Sequence, residues 1–395
     1  MAQLESQTSA YDLTEDQRMI LDQADRFGRE QLLPISEKMD NEEWWPEDLF
    51  PKLGENGFLG ATVSDQYGGA DLDLLSAGLV NQAFARYSPA VALRYLAHDN
   101  LCVNNIYRNA NEVQTQKYLT KLCTGEWDGA LGMTEPGAGS AAVRGMRTTA
   151  KRTSDGYLLN GRKIFITNGP IADVILVYAK TDMELGAQGI STFIVEKGFK
   201  GFQVAQKMIK MGYRGSQTGE LVFDDCEVPA ENLVGEENGG VAIMMGGLDI
   251  ERAMIAPICI GKAERALQLS IEHAKVREQF GKPIAEFQMI QQKLADMYTL
   301  TEAMKALIYR TLAVADGLEH GAGGRGEIHA LTAAAALFGG ETVNKVLDEA
   351  VQIHGGMGYM WESEINRLFR ATKLLEIGAG TSEVRRMIIA EELLK

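Results

Sequence analysis

Three glycine-rich loops are the first features of this sequence that could do chemistry. The first is LGMTEPGAGS, Leu131–Ser140; the second is FITNGP, in which Thr167 follows an apolar run; the third is QIHGGMGY, with Gly355 and Gly356. Glycine lets a backbone approach a flat or phosphorylated ligand closely, and successive N–H groups can cradle a phosphate. Each loop alone could be an ordinary turn, whereas three in one chain indicate a binding site.

The motifs of several other chemistries are absent. The sequence has no Walker loop, no GxSxG elbow, no HExxH and no GxGxxG between a strand and a helix, so hydrolase and Rossmann interpretations lose their main support. No histidine has a partner at metal-ligand spacing, which argues against a metal site; the five are His98, His273, His320, His329 and His354. The cysteines are too widely spaced for a zinc or disulfide framework, so we expect reduced thiols.

Length and charge narrow the class of protein further. The chain has 395 residues, of which 45% are hydrophobic and 24% charged, as in a globular protein of two or three domains. Its formal net charge of −15 opposes binding to nucleic acid or to an anionic membrane surface. The polar start lacks signal-peptide and transit-peptide character, and no apolar stretch approaches the ~20 residues of a membrane span. We expect a cytoplasmic protein, or an organelle-matrix protein if this is a mature form.

The elements that must position these loops change character twice along the chain. Residues 13–125 are helical in pattern, residues 128–240 hold short β-branched runs separated by turns, and long helical patterns return from Val241. The middle stretch predicts an antiparallel sheet or a small barrel, and the last one predicts bundle helices. We therefore expect a mainly α protein with a central β-domain, divided into residues 1–127, 128–240 and 241–395.

Two local signals make sharper predictions. Thr14 and Gln17 have the spacing of a capping box ahead of apolar residues in helical register, and they predict a helix that stops before Pro34. The segment GAGGRG, residues 321–326, predicts a loop between two helices of the last region.

Five motifs, taken in order, resemble one known family. LGMTEPGAGS, KIFITNGP, VREQFGKPIAEFQ, QIHGGMGY and EIGAGTSEVRR have separations similar to those of acyl-CoA dehydrogenases, over residues 13–394. Within the family, GLDIER, AKVREQFG, ADMYT and EIGAGTSEVRRM are most similar to the isovaleryl-CoA dehydrogenase branch. The resemblance implies an N-terminal helical domain, a middle β-barrel, a C-terminal four-helix bundle, non-covalent FAD and a homotetramer built as a dimer of dimers.

The resemblance assigns most of the loop positions to FAD. Those expected around the flavin ring are Leu131, Met133, Thr134, Gly139, Ser140, Phe165 and Thr167. Those expected at the pyrophosphate and adenosine of the neighbouring subunit's FAD are Arg277, Phe280, Gln288, Gln352, Gly355 and Gly356, while Thr381 and Glu383 match positions near the phosphates. Without the family match, Arg277 would be interpreted as an exposed cation at a helix end.

The reaction of the family requires a base for the α-proton of an acyl thioester. A carboxylate in a dry, apolar pocket suits this task, because burial raises its pKa. Many family members place a glutamate directly before the Gly-Thr of the last motif, where this chain has Ala379. In the isovaleryl branch the glutamate comes from the GLDIER helix, which matches Glu251 in apolar surroundings here. The alternative for Glu251 is an ordinary ion pair with a neighbouring arginine.

Other matched positions concern the acyl-CoA itself. The backbone N–H of Ala379 resembles the donor to the thioester carbonyl, an oxyanion-hole role that stabilises enolate character. Asp249 and Arg252 match positions that contact the thioester region and order the helix. Gly380 and Ser140 complete the expected substrate contacts.

Two places depart from the family pattern. Ala141 replaces the aspartate of the usual Gly-Ser-Asp, so the role of that aspartate is lost or supplied elsewhere. Arg94 and Asp99 occupy positions that are small or neutral in the isovaleryl branch, in a stretch that resembles the far end of the acyl pocket. A buried arginine is costly unless it is paired, so Arg94 pairs with Asp99 or another acid, lies exposed at the pocket mouth, or receives an anionic acyl tail.

Three functional hypotheses follow from these matches. The first is FAD-dependent dehydrogenation of a short branched, cyclic or functionalised acyl-CoA to the 2,3-enoyl-CoA, with Glu251 as base, flavin N5 as hydride acceptor and an electron-transfer flavoprotein as the next acceptor. The second uses Arg94 on an anionic acyl-CoA, by dicarboxylyl-CoA oxidation or sulfinate elimination. The third is a non-catalytic scaffold that binds acyl-CoA or an acyl carrier, which would require loss of FAD.

Overall fold

The first helix begins at the capping box that the sequence predicts. In this computed structural model, which describes residues 13–318 and 323–395, helix α1 spans Glu15–Phe27. The Thr14 hydroxyl accepts a hydrogen bond from the Gln17 N–H at 3.2 Å, and the Gln17 side chain accepts one from the Thr14 N–H at 3.0 Å. Two backbone donors that a helix start leaves unpaired are thereby satisfied, and the predicted start is confirmed.

The prediction that this helix stops before Pro34 is wrong. A wider, π-helical turn at Gly28–Leu32 follows α1 and continues into α2, Leu33–Glu42. Pro34 lies in the first turn of α2, where its missing N–H breaks no hydrogen bond of that helix. The helix ends instead at Glu42, and the next residue, Glu43, caps it with a left-handed φ of 51°.

The remaining helices of the first region surround one buried helix. They are α3 (Leu49–Glu55), α4 (Leu74–Tyr87), α5 (Pro89–Tyr95), α6 (Asn105–Asn109) and α7 (Glu112–Cys123), with a π-helical stretch, Leu96–Asn104, between α5 and α6. Almost every residue of α4 is buried, so it forms the core of this region.

The middle region is one sheet of eight strands. The strands are β1 (Gly129–Gly132), β2 (Thr149–Arg152), β3 (Gly156–Thr167), β4 (Val174–Lys180), β5 (Ile190–Glu196), β6 (Phe202–Lys207), β7 (Thr218–Pro229) and β8 (Leu233–Val234), and the short helix α8 (Ala142–Gly145) follows β1. Their order is β6-β7-β3-β2-β4-β5-β8, with β1 beside β4. Only β1 and β2 run parallel to β4; the other pairs of this sheet are antiparallel. The order is an open path in which β6 and β8 do not pair with each other, so among the described strands no closed barrel forms.

Long helices form the last region. They are α9 (Gly240–Val276), α10 (Gln288–Ala315), α11 (Gly326–His354), α12 (Gly356–Tyr359), α13 (Glu364–Arg370) and α14 (Ser382–Leu393), and two very short strands, β9 (Glu278–Gln279) and β10 (Lys282–Pro283), lie between α9 and α10. Helices α9, α10, α11 and α14 pack into the expected bundle. The predicted order of helices, sheet and helices is confirmed. Of the predicted 321–326 loop, residues 321 and 322 lie outside the described residues, as do His320 and the polar start of the chain.

Helix α9 is fixed in place by direct contact with the backbone of α4. A Cβ added to Gly261 would lie 2.0 Å from the Gln82 carbonyl oxygen, so any side chain there would push α9 and α4 apart. Gly78 allows a similar approach, because its added Cβ would meet Leu312 of α10 at 2.7 Å. Close packing of this kind leaves α9 little freedom to rotate or slide.

Lys262 is an unfavourable residue within this packed core. Its side chain is fully buried in α9, and Nζ has no hydrogen-bond partner among the residues that the structure describes. The ammonium lies 5.0 Å from the centre of the Tyr213 ring, a cation–π contact. Burial lowers the pKa of Lys262 to about 7.

We expect Lys262→Met to raise the stability of the folded protein at pH 7 by roughly 1–3 kcal/mol, because an apolar side chain of similar length needs no partner. The unfolded chain holds this proton up to a pKa near ~10.4, so the wild type binds more protons when unfolded between about pH 7 and pH 10. Wild-type stability therefore rises over that range, and the advantage of the variant shrinks. Thermal unfolding of both proteins across this pH range measures the effect.

The exposed Lys200 provides the control, since Lys200→Met removes an ammonium that lies on the surface beside Glu227. That variant should show no such pH dependence. A lower melting temperature of Lys262→Met at pH 7 would contradict the expectation.

Candidate active site

Glu251 lies on the face of α9 that borders a narrow internal cavity. Met244, Gly247 and Leu248 precede it by seven, four and three residues, so the helical repeat places all four on one face. The other walls consist of Leu101, Asn105, Leu131, Met133 and Tyr178. A Cβ added to Gly247 would lie 2.6 Å from Asn105 Oδ1, so the glycine lets α9 approach the opposite wall.

The Glu251 side chain is half-buried, and its carboxylate has no ion-pair or hydrogen-bond partner among the described residues. Burial raises its pKa to about 7, and the positive charges of Arg252 and Arg385 only partly oppose this. Arg252 is engaged elsewhere, since it pairs with Asp249 at 3.0 Å. The alternative interpretation, an ordinary ion pair, is therefore not what the structure shows. A carboxylate in this condition can accept a proton near neutral pH.

The turn before α14 lies against α9 close to Glu251. Ala379 and Gly380 both have left-handed backbones, with φ of 56° and 92°. For alanine this conformation is strained, so the surrounding contacts must hold it. Arg252 Nε donates to the Ala379 carbonyl at 3.2 Å, and the Thr381 hydroxyl caps α14 by accepting from the Val384 N–H at 3.3 Å.

The first glycine-rich loop borders the cavity, and the strand that leads into the second loop is bonded to it. Leu131 and Met133 line the cavity itself. The Ile164 N–H of β3 donates to the Thr134 carbonyl at 2.8 Å, and the buried Lys163 donates to the Met133 carbonyl at 3.1 Å. These bonds join the end of β3 to the first loop, so the sheet positions both.

Phe165 and Thr167 lie among the last residues of β3. The Phe165 ring is 66% exposed and its backbone is left-handed, with φ of 60°, next to an irregularity in the β3–β7 pairing. Thr167 is half-buried, whereas Gly139 and Ser140 of the first loop are exposed. An exposed aromatic ring in a strained conformation fits contact with a flat ligand.

Asp249 is fully buried, and its carboxylate is bonded to other residues of the protein. Its Oδ1 lies 3.0 Å from Arg252 Nη1 and 2.6 Å from His329 Nδ1, and its Oδ2 accepts from the Gly324 N–H at 2.6 Å. The residue has no exposed surface in this structure, and its expected contact with the substrate stays a prediction. Its bonds to Arg252 and His329 fit the other expected role, the ordering of α9.

Arg94 pairs with an acid other than Asp99. Its Nη2 donates to both Asp128 carboxylate oxygens, at 2.8 and 2.9 Å, and its guanidinium stacks 3.8 Å from the Trp45 ring and 4.5 Å from the Phe50 ring. Arg94 is buried and does not line the cavity of Glu251. Of the alternatives left open by the sequence, pairing with another acid is the one that the structure shows.

Asp99 also lies away from the cavity. Its carboxylate accepts backbone hydrogen bonds from the Gly60 N–H and, at 3.3 Å, from the Ala61 N–H. Burial raises its pKa to about 7. Neither Arg94 nor Asp99 is therefore placed to contact an acyl group, and the anionic-substrate hypothesis loses its structural basis.

The positions matched to the distant part of FAD form a second cluster. The stacked rings of His273 and His354, 4.4 Å apart, join the ends of α9 and α11. Around them lie six exposed residues: Arg277, Phe280, Gln288, Gln352, Gly355 and Gly356. Arg277 follows Glu251 by 26 residues on one helix, a separation of about 39 Å. The structure does not bring this cluster to the cavity of the same chain.

Several cavity residues were missed from the sequence. Leu248 and Met244 could have been found by counting back one and two helical turns from Glu251, respectively. Tyr178 had a weaker signal, as the phenol within the apolar strand VILVYAK. Leu101 lies within the π-helical stretch Leu96–Asn104, and Asn105 directly follows it; no local pattern predicted this wider turn.

Family models of acyl-CoA dehydrogenases match almost the whole chain. The N-terminal domain matches residues 14–126, the middle domain residues 130–226 and the C-terminal domain residues 238–394. The chain belongs to the acyl-CoA dehydrogenase family. It is an FAD-dependent oxidoreductase acting on CH–CH groups, as expected from the five motifs.

Matches to individual relatives cover nearly the full length of this chain and of each relative. A mitochondrial isovaleryl-CoA dehydrogenase of Solanum tuberosum is 43% identical over 382 residues, which cover 96% of this chain and 90% of the relative. The butyryl-CoA dehydrogenase structure from Megasphaera elsdenii superposes with a TM-score of 0.92 at 40% identity, covering 98% of this chain and all of the other. PigA with FAD and proline superposes with a TM-score of 0.92 at 31% identity, over 98% and 99% of the two chains.

Two kinds of feature are absent from the part of this acyl-CoA dehydrogenase that the structure describes. Among residues 13–318 and 323–395, no helix is long and apolar enough to cross a membrane. The same residues contain no group of three or more His, Cys, Asp or Glu side chains that could hold a metal ion.

We expect Arg94→Met to lower the free energy of unfolding by roughly 3–5 kcal/mol, because it leaves the Asp128 carboxylate without its partner in a mostly buried site. Chemical denaturation measures this loss. The double variant with Asp128→Asn should recover part of it, since no unpaired charge remains. The ranking of isovaleryl-CoA over glutaryl-CoA as a reductant of the flavin should not change. A reversed ranking at unchanged stability would place Arg94 at the acyl group after all.

Proposed function

We propose that this chain dehydrogenates a short branched, cyclic or functionalised acyl-CoA to the 2,3-enoyl-CoA, with Glu251 as the base for the α-proton. The unpaired Glu251 carboxylate, in an apolar cavity beside the first two glycine-rich loops, is the observation that supports this most directly. Bound FAD supplies the oxidising half of the chemistry, with flavin N5 as acceptor of the hydride that leaves the β-carbon. The reaction belongs to fatty acid or amino acid catabolism.

The protein groups act on the proton and on the thioester oxygen. The bond between the α-carbon and its hydrogen breaks, the proton passes to a Glu251 carboxylate oxygen, and negative charge moves onto the thioester oxygen. The backbone N–H of Ala379 donates to that oxygen and stabilises the charge. The apolar walls exclude water, which keeps the base desolvated and makes each electrostatic contact stronger.

The cavity favours a short, uncharged acyl group. Large side chains, those of Leu101, Met244 and Tyr178, line it, and no cationic side chain is among the described residues that do so. Arg94 is already paired with Asp128, so no cation of the cavity wall would receive an acyl carboxylate or sulfinate. The names of the isovaleryl-CoA dehydrogenases among the relatives support the same size of substrate. No observation favours the non-catalytic scaffold.

The exposed residues that match FAD contacts fit such a cofactor, provided that two chains contribute. Met133, Thr134 and Phe165 would hold the flavin ring of their own subunit, and Thr381 at the start of α14 would lie near its phosphates. Arg277 is about 39 Å from Glu251 along α9, too far to reach the same cofactor. Its guanidinium, with Gln352, would instead hold the pyrophosphate and adenosine of a second chain's FAD. We therefore propose a homotetramer, a dimer of dimers with shared cofactor sites.

Three coarser expectations remain part of the proposal. The division at residues 1–127, 128–240 and 241–395 is supported by helices up to Cys123, strands from Gly129 to Val234 and helices from Gly240. An electron-transfer flavoprotein as the acceptor is implied by family membership. A cytoplasmic or organelle-matrix location agrees with four cysteines that are all buried and free.

Glu251→Gln should lower the rate of flavin reduction by a good substrate at least ~10²-fold while the protein keeps its FAD, because an amide cannot accept the α-proton. In the wild type, kcat/KM should fall as the pH drops below about 7, where Glu251 becomes protonated. Stopped-flow absorbance under anaerobic conditions measures both effects.

Asp99→Asn is the matched control, because burial raises the pKa of Asp99 to about 7 as well, although the residue lies outside the cavity. This variant should reduce its flavin at close to the wild-type rate. Near wild-type reduction by Glu251→Gln would move the base to another residue.

Shared sites can be tested by mixing two inactive chains. Arg277→Ala should lose FAD, since the pyrophosphate charge is no longer met, and Glu251→Gln should hold FAD without turnover. When both are expressed in one cell, a mixed two-fold pair has one intact site, so about half the activity per pair should return. If each site belonged to a single chain, no activity would return.

A further inference from the structure

Arg385 is a fully buried arginine whose partners are all backbone carbonyls. Its Nη1 donates to the Leu375 carbonyl at 2.8 Å and to the Ala336 carbonyl at 3.0 Å, and its Nη2 donates to the Gly378 carbonyl at 2.5 Å. No carboxylate forms an ion pair with it among the described residues. Burying a guanidinium without a counter-charge is costly, so this arrangement calls for a reason other than stability.

The Gly378 carbonyl belongs to the same peptide unit as the Ala379 N–H. In a trans peptide the carbonyl and the following N–H point in opposite directions. Because the Gly378 oxygen is held against Arg385, the Ala379 N–H points away from Arg385. The Arg252 bond to the Ala379 carbonyl, at 3.2 Å, orients the next peptide in the same manner. Two arginines therefore fix two successive peptide planes.

The N–H groups of this turn are left available. Neither the Ala379 nor the Gly380 N–H donates to an acceptor among the described residues, although the residues before them are bonded: the Ile377 and Gly378 N–H groups both donate to the Leu374 carbonyl. The left-handed backbone at Ala379 and Gly380 presents these two N–H groups in succession. Such a pair of free donors can receive an oxyanion.

The surrounding chain is shaped to admit Arg385. A Cβ added to Gly340 of α11 would lie 2.6 Å from the Leu375 carbonyl and 3.4 Å from Arg385 Nη1. A larger residue in α11 would therefore displace both the arginine and the segment that it holds. The neighbouring Arg386 differs, because it is exposed and forms an ion pair with Glu341 at 2.7 Å.

We infer that Arg385 is a positioning residue of the oxyanion hole: by holding the Gly378 carbonyl, it aims the Ala379 N–H at the thioester oxygen. The inference rests on the proposed function, in which that oxygen gains negative charge. Arg385 does not touch the substrate. It acts through the peptide that it orients, so its loss weakens the stabilisation of an enolate more than it weakens binding of the neutral thioester.

Acetoacetyl-CoA tests this without turnover. Its enolate carries the charge that the oxyanion hole stabilises, and this electron-rich anion gives a long-wavelength absorbance beside oxidised flavin. The pH midpoint of that absorbance in the FAD-loaded protein therefore measures the stabilisation. In Arg385→Met the midpoint should rise by about one unit or more, since a misdirected donor loses much of its effect. Arg385→Lys keeps the charge but cannot reach all three carbonyls, so it should give an intermediate value.

Arg386→Met is the matched control, because it removes the same charge one residue further on without touching the turn. Its midpoint should equal that of the wild type. The inference is overturned if Arg385→Met keeps its FAD and shows the wild-type midpoint. It is also overturned if both Arg385 variants lose the fold, since the residue then serves only the core. A wild-type protein that forms no such absorbance would instead overturn the proposed function.

Discussion

A desolvated carboxylate that is kept without a partner, that of Glu251, is the constraint on which the rest of this structure depends. Glu251 could become an effective proton acceptor only if nearby cations were kept from pairing with it, because an ion pair would lower its pKa and block its oxygens. Arg252 is held by Asp249 and the Ala379 carbonyl, and Arg385 is held by three other carbonyls. The same bonds that occupy the arginines also shape the turn before α14. One set of hydrogen bonds therefore both leaves Glu251 unpaired and orients the turn.

Helix α9 carries most of this arrangement, and its packing explains why it can. Asp249, Glu251 and Arg252 lie within one turn: Asp249 and Arg252 share a face and pair with each other, whereas Glu251 points into the cavity. A rotation of the helix would displace all three together. The backbone contact at Gly261 and the close approach at Gly247 prevent such a rotation. Glycines at these two positions let α9 pack closely against its neighbours, and this close packing fixes the positions of the site residues that α9 carries.

The sequence was most informative where a local pattern has a local cause. The Thr14–Gln17 capping box and the period of the strands depend on neighbours a few residues apart. Glu251 was found through a motif, since no local pattern distinguishes a catalytic glutamate from a surface one. The partner of Arg94 could not be found, because Asp128 is 34 residues away and becomes its neighbour only when the first helices pack on the sheet. The partner of Asp249 could not be found for the same reason: His329, which contacts its carboxylate, comes from another helix.

On the proposed assembly, the two ends of α9 serve different cofactors. Glu251 near its start acts in one site, and Arg277 at its end reaches the FAD of a second chain, about 39 Å away. In a two-fold pair each chain would complete its partner's site, so neither chain could hold its cofactor fully alone. Binding of FAD and association of chains would then be thermodynamically linked, each strengthening the other. The length of this one helix, 37 residues, is what separates the two roles enough to require a second chain.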